Sequence, residues 1–463
     1  MVDILIRNAT VITLNSFREI IRDGGIAVEG GRIVAVGPSA EIESGYRADE
    51  TIDGKGMVAI PGLINAHTHI YQDLLRGLGD DMALMEWLGK MLFPNNAAVT
   101  PEDAYVGTLL GCIEMLKTGT TCVIDNHHAN TTERSIDGVV KAIGESGMRG
   151  MVARGMKEPR PHPMDEVRKE LTSTAEEDIE ITRRLMDRWN KPDARVMVCP
   201  GPTSTMAAGT EFFQRAKELS DTYKVPIHTH IAEVKEEVEN TLKNHGLREV
   251  EYLHKIGVLT PRFHAVHGVW LNPVEIRLMA ESGAHLIHCP VSNMIIASGA
   301  APVQSMLDAG VNVALATDGP ASNNNQDMVA VMKTASLLQK VTTLNPKALP
   351  AEKSLELATL GGARALNMQN EIGSLEPGKK ADIVLVDLRK PHIMPIHNPV
   401  SALVYSAMGT DVHTVIANGK TVVKQGKILT LNEQETLQKA QQTADNLTQR
   451  SKTTYLRERA WPR

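Results

Sequence analysis

Short, continuously apolar runs recur through the middle of the chain, separated by stretches with helical spacing. The runs are MVAIPGLINAHTH (57–69), TTCVIDN (120–126), RGMVARG (149–155), RVMVCPG (195–201), VPIHTHIAE (225–233), FHAVHGV (263–269), HLIHCPVSN (285–293) and NVALATDGP (312–320). Runs without polar alternation are the mark of parallel strands covered on both faces. Helical segments such as EDAYVGTLLGCIEMLKTG (102–119) and PVEIRLMAESG (273–283) lie between several of them. Eight strand–helix repeats predict a closed (β/α)8 barrel. The two ends read differently. Residues 1–56 alternate between short strands and Gly-rich turns, and the same texture returns in KKADIVLVDL (379–388) and VHTVIANGKTVVKQGKIL (412–429). The ANGK step at Ala417–Lys420 is a hairpin signal.

These patterns predict an α/β chain: a TIM-like barrel over residues 57–367 and a small β-sandwich assembled from 1–56 and 368–430. An amphipathic helix and tail over 431–463 is expected on the outside. The length of 463 residues suits a barrel with one appended domain.

Composition narrows the partners. A formal charge of −6 gives no reason to expect nucleic acid or an anionic membrane surface. No run reaches the apolar length that spans a bilayer, and the N-terminus lacks the features of a signal peptide. Four scattered cysteines without a CxxC pair fit free, buried thiols in a reducing compartment. The expectation is a cytoplasmic protein.

The polar residues cluster where such a barrel places its chemistry, at the C-terminal ends of strands. His67 and His69 end the first run, His230 and Glu233 the fifth, His267 the sixth and Asp318 the eighth. His67 and His69 are spaced i, i+2, so both imidazoles leave one face of a strand. With His230 and Asp318 they form a candidate ligand set for one divalent ion, zinc first and iron(II) second. One position is then left for water, which such an ion ionises near neutral pH. Glu233 is placed to protonate a ring nitrogen, and the bland alternative for it is a helix N-terminal carboxylate. His267 is a candidate to polarise the water, the alternative being a core histidine. Asp318 is expected both to bind metal and to accept the water's proton. The fourth run ends without Lys or Glu, so no bridging ligand for a second ion is expected.

The chain resembles the amidohydrolase superfamily, of the mononuclear cytosine-deaminase-like type. The segments that carry the resemblance are PGLINAHTH (61–69), MEWL (85–88), HTHIAE (228–233), HCPVSN (288–293), TDGPASNNNQDM (317–328) and EIGSLEPGKKADIVLVDL (371–388). Within it, the chain is most similar to methylthioadenosine/S-adenosylhomocysteine deaminases and to the atrazine chlorohydrolase and melamine deaminase group. The resemblance implies the same ligands and catalytic groups, a small heterocyclic substrate and a homo-oligomer, dimer or tetramer. It implies hydrolytic loss of ammonia from an aminated purine, pterin or related ring. The alternative is a triazine-type hydrolase that releases chloride or an alkylamine, and the remote one a non-catalytic scaffold.

The pattern departs from the nucleoside deaminases at two positions. Asn96 stands where they carry a ribose-holding Glu, and Thr203 where they tend to carry a His. Candidate substrate contacts are Trp87, Asn96, His127, His128, Arg154, Asn293 and Ser322. Arg154 could equally pair with a neighbouring acid, and Trp87 could equally be core.

Overall fold

The structure is a computed structural model that describes residues 1–159 and 169–458; the end of the expected C-terminal tail lies outside them. Five strands open the chain: β1 (Val2–Ile12), β2 (Ile20–Glu29), β3 (Arg32–Pro38), β4 (Ala48–Asp53) and β5 (Met57–Pro61). Eight more follow, at the eight apolar runs: β6 (Leu63–Thr68), β7 (Thr120–His127), β8 (Arg149–Met156), β9 (Val196–Pro202), β10 (Ile227–Ile231), β11 (Phe263–His267), β12 (His285–His288) and β13 (Asn312–Leu315). Nearly every position in these eight is buried, which is why the sequence shows no polar alternation.

The eight pair in parallel as two four-stranded sheets, β6-β7-β8-β9 and β10-β11-β12-β13. Two seams join the sheets into a (β/α)8 barrel. At one, Ser204 bridges in parallel to His230, and the His230 N–H donates to the Thr203 carbonyl at 3.1 Å. At the other, the Asp318 N–H donates to the His67 carbonyl at 3.0 Å.

The smaller β-domain draws its strands from both ends of the chain. It adds β14 (Ile383–Asp387), β15 (Val412–Ala417), β16 (Lys420–Lys424) and β17 (Lys427–Ile428) to the first five. The hydrogen-bonded order is β17-β16-β15-β14-β5-β1-β2-β3, with β4 beside β1. The far end of this path returns to its middle: the Ile33 N–H donates to the Lys379 carbonyl at 2.8 Å, just before β14. Ile6, Val11, Ile26 and Ile33 thus share one core with Ile383, Leu385 and Ile416. The β15–β16 hairpin turns through Asn418 and Gly419, both at positive φ (51° and 76°), as the ANGK signal predicts. The helix Glu433–Arg450 lies outside, against Pro101–Lys117, with Lys117 paired to Glu433 at 2.5 Å. No helix among the described residues is long and apolar enough to cross a membrane. All four cysteines are free and buried.

One expectation needs correction. The run 57–69, read as a single barrel strand after a boundary at residue 56, is two strands. Met57–Pro61 pairs with β1 and β14 in the outer sheet, and Leu63–Thr68 pairs with β7 in the barrel. The chain crosses between sheets at Gly62, whose N–H donates to the Asp382 carbonyl at 2.8 Å. Both strands are covered on both faces, so the apolar pattern runs across the crossing unbroken. Gly62 is required there: a Cβ would sit 2.0 Å from Thr121 Oγ1 and 2.8 Å from Thr121 Cβ, a contact no rotamer relieves. Gly62→Ala is therefore expected to destabilise the protein by about 1–3 kcal/mol through overpacking. A thermal-unfolding midpoint equal to that of the unaltered protein would show that the crossing has room to spare.

Candidate metal centre

The barrel mouth gathers His67 from β6, His69 one residue past it, His230 from β10, His267 from β11 and Asp318 beyond β13. All are buried. Three residues at these strand ends hold left-handed backbone without being glycine: Ala232 (φ 50°), His267 (φ 72°) and Asp318 (φ 64°). Such conformations cost energy and concentrate at functional sites, where surrounding contacts enforce them. Around Ala232 those contacts are explicit. Its N–H donates to Glu249 Oε2 at 2.7 Å, and the Glu233 N–H donates to Glu237 Oε2 at 2.9 Å.

Hydrogen bonds at the far side of each ring decide what it presents to the centre. His69 Nδ1 lies 2.5 Å from the Asn126 carbonyl oxygen, and His230 Nδ1 lies 2.8 Å from that of Thr203. A carbonyl only accepts, so both Nδ1 atoms carry the proton and both Nε2 atoms are bare. Asp318 Oδ1 lies 3.4 Å from His69 Nε2 and 3.3 Å from His67 Nε2. Beyond this Asp318 contact, buried His67 Nε2 has no hydrogen-bond partner among the described residues. A bare nitrogen and a carboxylate oxygen at such distances repel unless a cation lies between them, and this donor set fits a divalent ion. Donor atoms of His67, His69 and Asp318 lie within 4.8 Å of one another, as do those of His67, His230 and His267, and of His69, His128 and His230. Each pair among the four expected donors, except His230 with Asp318, falls inside such a group. Burial lowers the pKa of every one of these histidines, that of His69 to about 3, which keeps the rings in the neutral form that binds metal.

Glu233 and His267 face each other across the mouth, with Oε2 and Nε2 3.5 Å apart. Burial, with Asp318 and Glu249 adding to it, raises the Glu233 pKa well above the carboxylate range, which favours the protonated carboxyl. His267 Nδ1 bonds to Asn293 Oδ1 at 2.9 Å, which leaves Nε2 as an acceptor toward the mouth. The arrangement therefore sets a proton donor and a proton acceptor side by side at the mouth.

A cleft opens above the centre. Of the candidate substrate contacts, Trp87, His128 and Ser322 line it. Trp87 Nε1–H donates to the Ala321 carbonyl at 3.0 Å, which fixes the indole against the wall. The structure places the other four candidates elsewhere. Asn96 is turned away from the cleft and accepts from the Tyr71 hydroxyl at 2.7 Å. His127 packs edge-on to Tyr71, its ring centroid 4.8 Å away. Arg154 pairs with buried Asp178 at 2.5 Å, the acid partner that was its alternative. Asn293 holds His267 rather than lining the cleft. Thr203 lines it and supplies the carbonyl that holds His230.

Sequence reasoning missed two groups on the wall. Lys157 lies one residue beyond β8 and donates to the His128 carbonyl at 3.2 Å; its place at a strand end was the available signal. Leu84, Met85, Leu88, Leu92, Phe93 and Met206 form an apolar wall. Such residues read as ordinary core, so nothing in the sequence marked them.

Comparison with known proteins agrees with this architecture. The Amidohydrolase family pattern matches residues 58–422, and an imidazolonepropionase-like composite domain of bacteria matches 24–46. A 5-methylthioadenosine/S-adenosylhomocysteine deaminase of Pelotomaculum thermopropionicum is 40% identical over 97% of this chain and 100% of its own. A 5'-deoxyadenosine deaminase of Methanosarcina mazei is 39% identical over 97% and 99%. Among solved structures, an adenosine deaminase from Xanthomonas campestris with bound zinc is 34% identical, with a TM-score of 0.91 over 97% of this chain and 99% of that one.

If the four donors share one ion, His69→Ala is expected to weaken zinc binding by more than the roughly 10–100-fold that loss of a supporting hydrogen bond costs. Metal analysis of the purified variant after dialysis provides the check. Retention of stoichiometric zinc would remove His69 from the ligand set.

Proposed function

The chain belongs to the amidohydrolase family, and on that premise we propose that it is a metal-dependent hydrolytic deaminase of adenosine-type nucleosides. The observation that carries the reading is the pair Glu233 and His267, a buried carboxyl and an accepting imidazole 3.5 Å apart at the same barrel mouth as the four donors. The same arrangement sits in a chain about as long as its deaminase relatives and similar to them throughout.

In this reading His67, His69, His230 and Asp318 hold one divalent ion, zinc before iron(II). The ion supplies the Lewis acidity that makes water a nucleophile near neutral pH. The purine lies against the apolar wall of the cleft, with its aminated carbon toward the centre. Asp318 takes one proton of the water that adds to this carbon, while His267 Nε2 accepts a hydrogen bond from it and orients its attack. Glu233 gives its proton to the adjacent ring nitrogen, so no full negative charge builds on the ring. The proton held by Asp318 then passes to the amino group, the carbon–nitrogen bond breaks with release of ammonia, and the remaining hydroxyl proton passes by way of His267 to Glu233, which leaves a ring carbonyl and restores the acid. The apolar wall beside the ring excludes bulk water and strengthens each of these interactions.

Asn96 is engaged with Tyr71 and offers the ribose no carboxylate. In this reading sugar recognition is weak, and the fit of the substrate's apolar parts to the wall dominates. The reading extends to a cytoplasmic homo-oligomer, dimer or tetramer.

Two measurements test it. The zinc-loaded protein is expected to release ammonia from adenosine, 5'-deoxyadenosine or methylthioadenosine; chloride release from chlorotriazines without ammonia from any nucleoside would sink the reading. Glu233→Gln is expected to lower kcat by about 10²–10⁴ with metal content unchanged. Full activity in that variant would remove Glu233 from the proton transfers.

A further inference from the structure

Two of the three histidine donors take their tautomer from a backbone carbonyl; His67 does not. Its Nδ1 faces His228 Nε2 at 2.7 Å, and a ring nitrogen can donate or accept. His228 Nδ1 in turn lies 3.1 Å from His264 Nδ1, with the same ambiguity. The ambiguity ends at His264 Nε2, which lies 2.8 Å from the carbonyl oxygen of Ala365. Ala365 closes the short helix Gly362–Ala365, where terminal carbonyls lack partners within the helix.

A carbonyl only accepts, so His264 Nε2 carries the proton. All three rings have 0% exposure, which favours neutral imidazoles with one proton each. The assignments then follow in order. His264 Nδ1 is bare and accepts from His228 Nδ1–H. His228 Nε2 is bare and accepts from His67 Nδ1–H. His67 Nε2 is left bare and turned toward Asp318 and the centre. The register supports the chain, since His228 and His264 are direct partners in the β10–β11 pair. The His67 and His228 ring planes are inclined by only 21°, with centroids 4.9 Å apart, as an in-plane N–H···N bond requires.

We propose that His228 and His264 are positioning residues that carry the polarity of the Ala365 carbonyl to His67 and hold that ligand in its metal-binding tautomer. The proposal rests on the metal-centre reading above and adds the groups that prepare it. A His67 with its proton on Nε2 would point a donor at the cation and at Asp318, and the fixed order of protons excludes that state.

His264→Leu removes the acceptor for His228 Nδ1–H. His264→Asn restores it, because Asn Oδ1 stands near the position of His Nδ1. Each protein is stripped with a chelator and titrated with zinc against a chromophoric competitor, with the thermal midpoint as a folding control. The Leu variant is expected to bind zinc about 10–100-fold more weakly, and the Asn variant to recover most of that loss. Equal weakening in both variants, or none in either, would reduce the relay to packing. A second readout needs no variant. In the metal-free, ¹⁵N-histidine-labelled protein, two-bond ¹H–¹⁵N spectra are expected to place the His67 proton on Nδ1, and a proton on Nε2 overturns the proposal. Failure of the unaltered protein to take up zinc overturns the metal-centre reading itself and the proposal with it, whereas zinc uptake with the wrong tautomer overturns the relay alone.

Discussion

The barrel closes through the residues that form its centre. One seam is the Asp318 N–H on the His67 carbonyl, and the other is the His230 N–H on the Thr203 carbonyl. The Thr203 oxygen also accepts from the His230 ring, so one atom fixes both the strand and the orientation of its side chain. Closure and donor geometry are thus a single set of constraints. A ligand sphere held in this way needs little reorganisation to receive a cation, which is the condition for preorganised chemistry. The cost appears in the backbone, where Ala232, His267 and Asp318 turn through left-handed φ values at the ends of three strands.

Above this rigid floor the cleft changes character. Its wall is aliphatic and aromatic, while the polar groups gather at the bottom. This division separates holding a molecule from acting on it. Buried Glu249 and Glu237 also hold the Ala232–Glu233 turn by its N–H groups. Burial first, then Asp318 and Glu249, favours the protonated form of Glu233. Glu249 therefore bears on both the position of the turn and the protonation of the acid.

Much of this was legible in the sequence, for definite physical reasons. A strand buried on both faces has no polar alternation, so all eight barrel strands stood out. Strand ends bearing His, Glu or Asp after apolar runs marked the centre. Where the pattern was blind, it was blind for equally definite reasons. Apolar residues on both sides of Gly62 hid the passage from outer sheet to barrel, since burial looks the same in either. Leu84 and Phe93 carry no chemical signature that separates a cleft wall from a core. Asn96 and Arg154 have polar groups suited to a ligand, yet Tyr71 and Asp178 engage them first. Spacing places a residue along the chain, and only packing tells which way its side chain turns.

The outer sheet has a consequence for how the protein is made. Strand β5 sits in the middle of that sheet, with β1 on one side and β14 on the other. Pro61 is paired with Ile383, so the first strands to leave the ribosome wait for nearly the whole barrel before their neighbour is synthesised. During that interval β5 presents an open edge of apolar residues, the kind of surface that invites pairing with another nascent chain. The barrel strands beside it have their partners close in sequence and can form first. Until β14 emerges, the nascent chain therefore carries its barrel segments with this edge still bare.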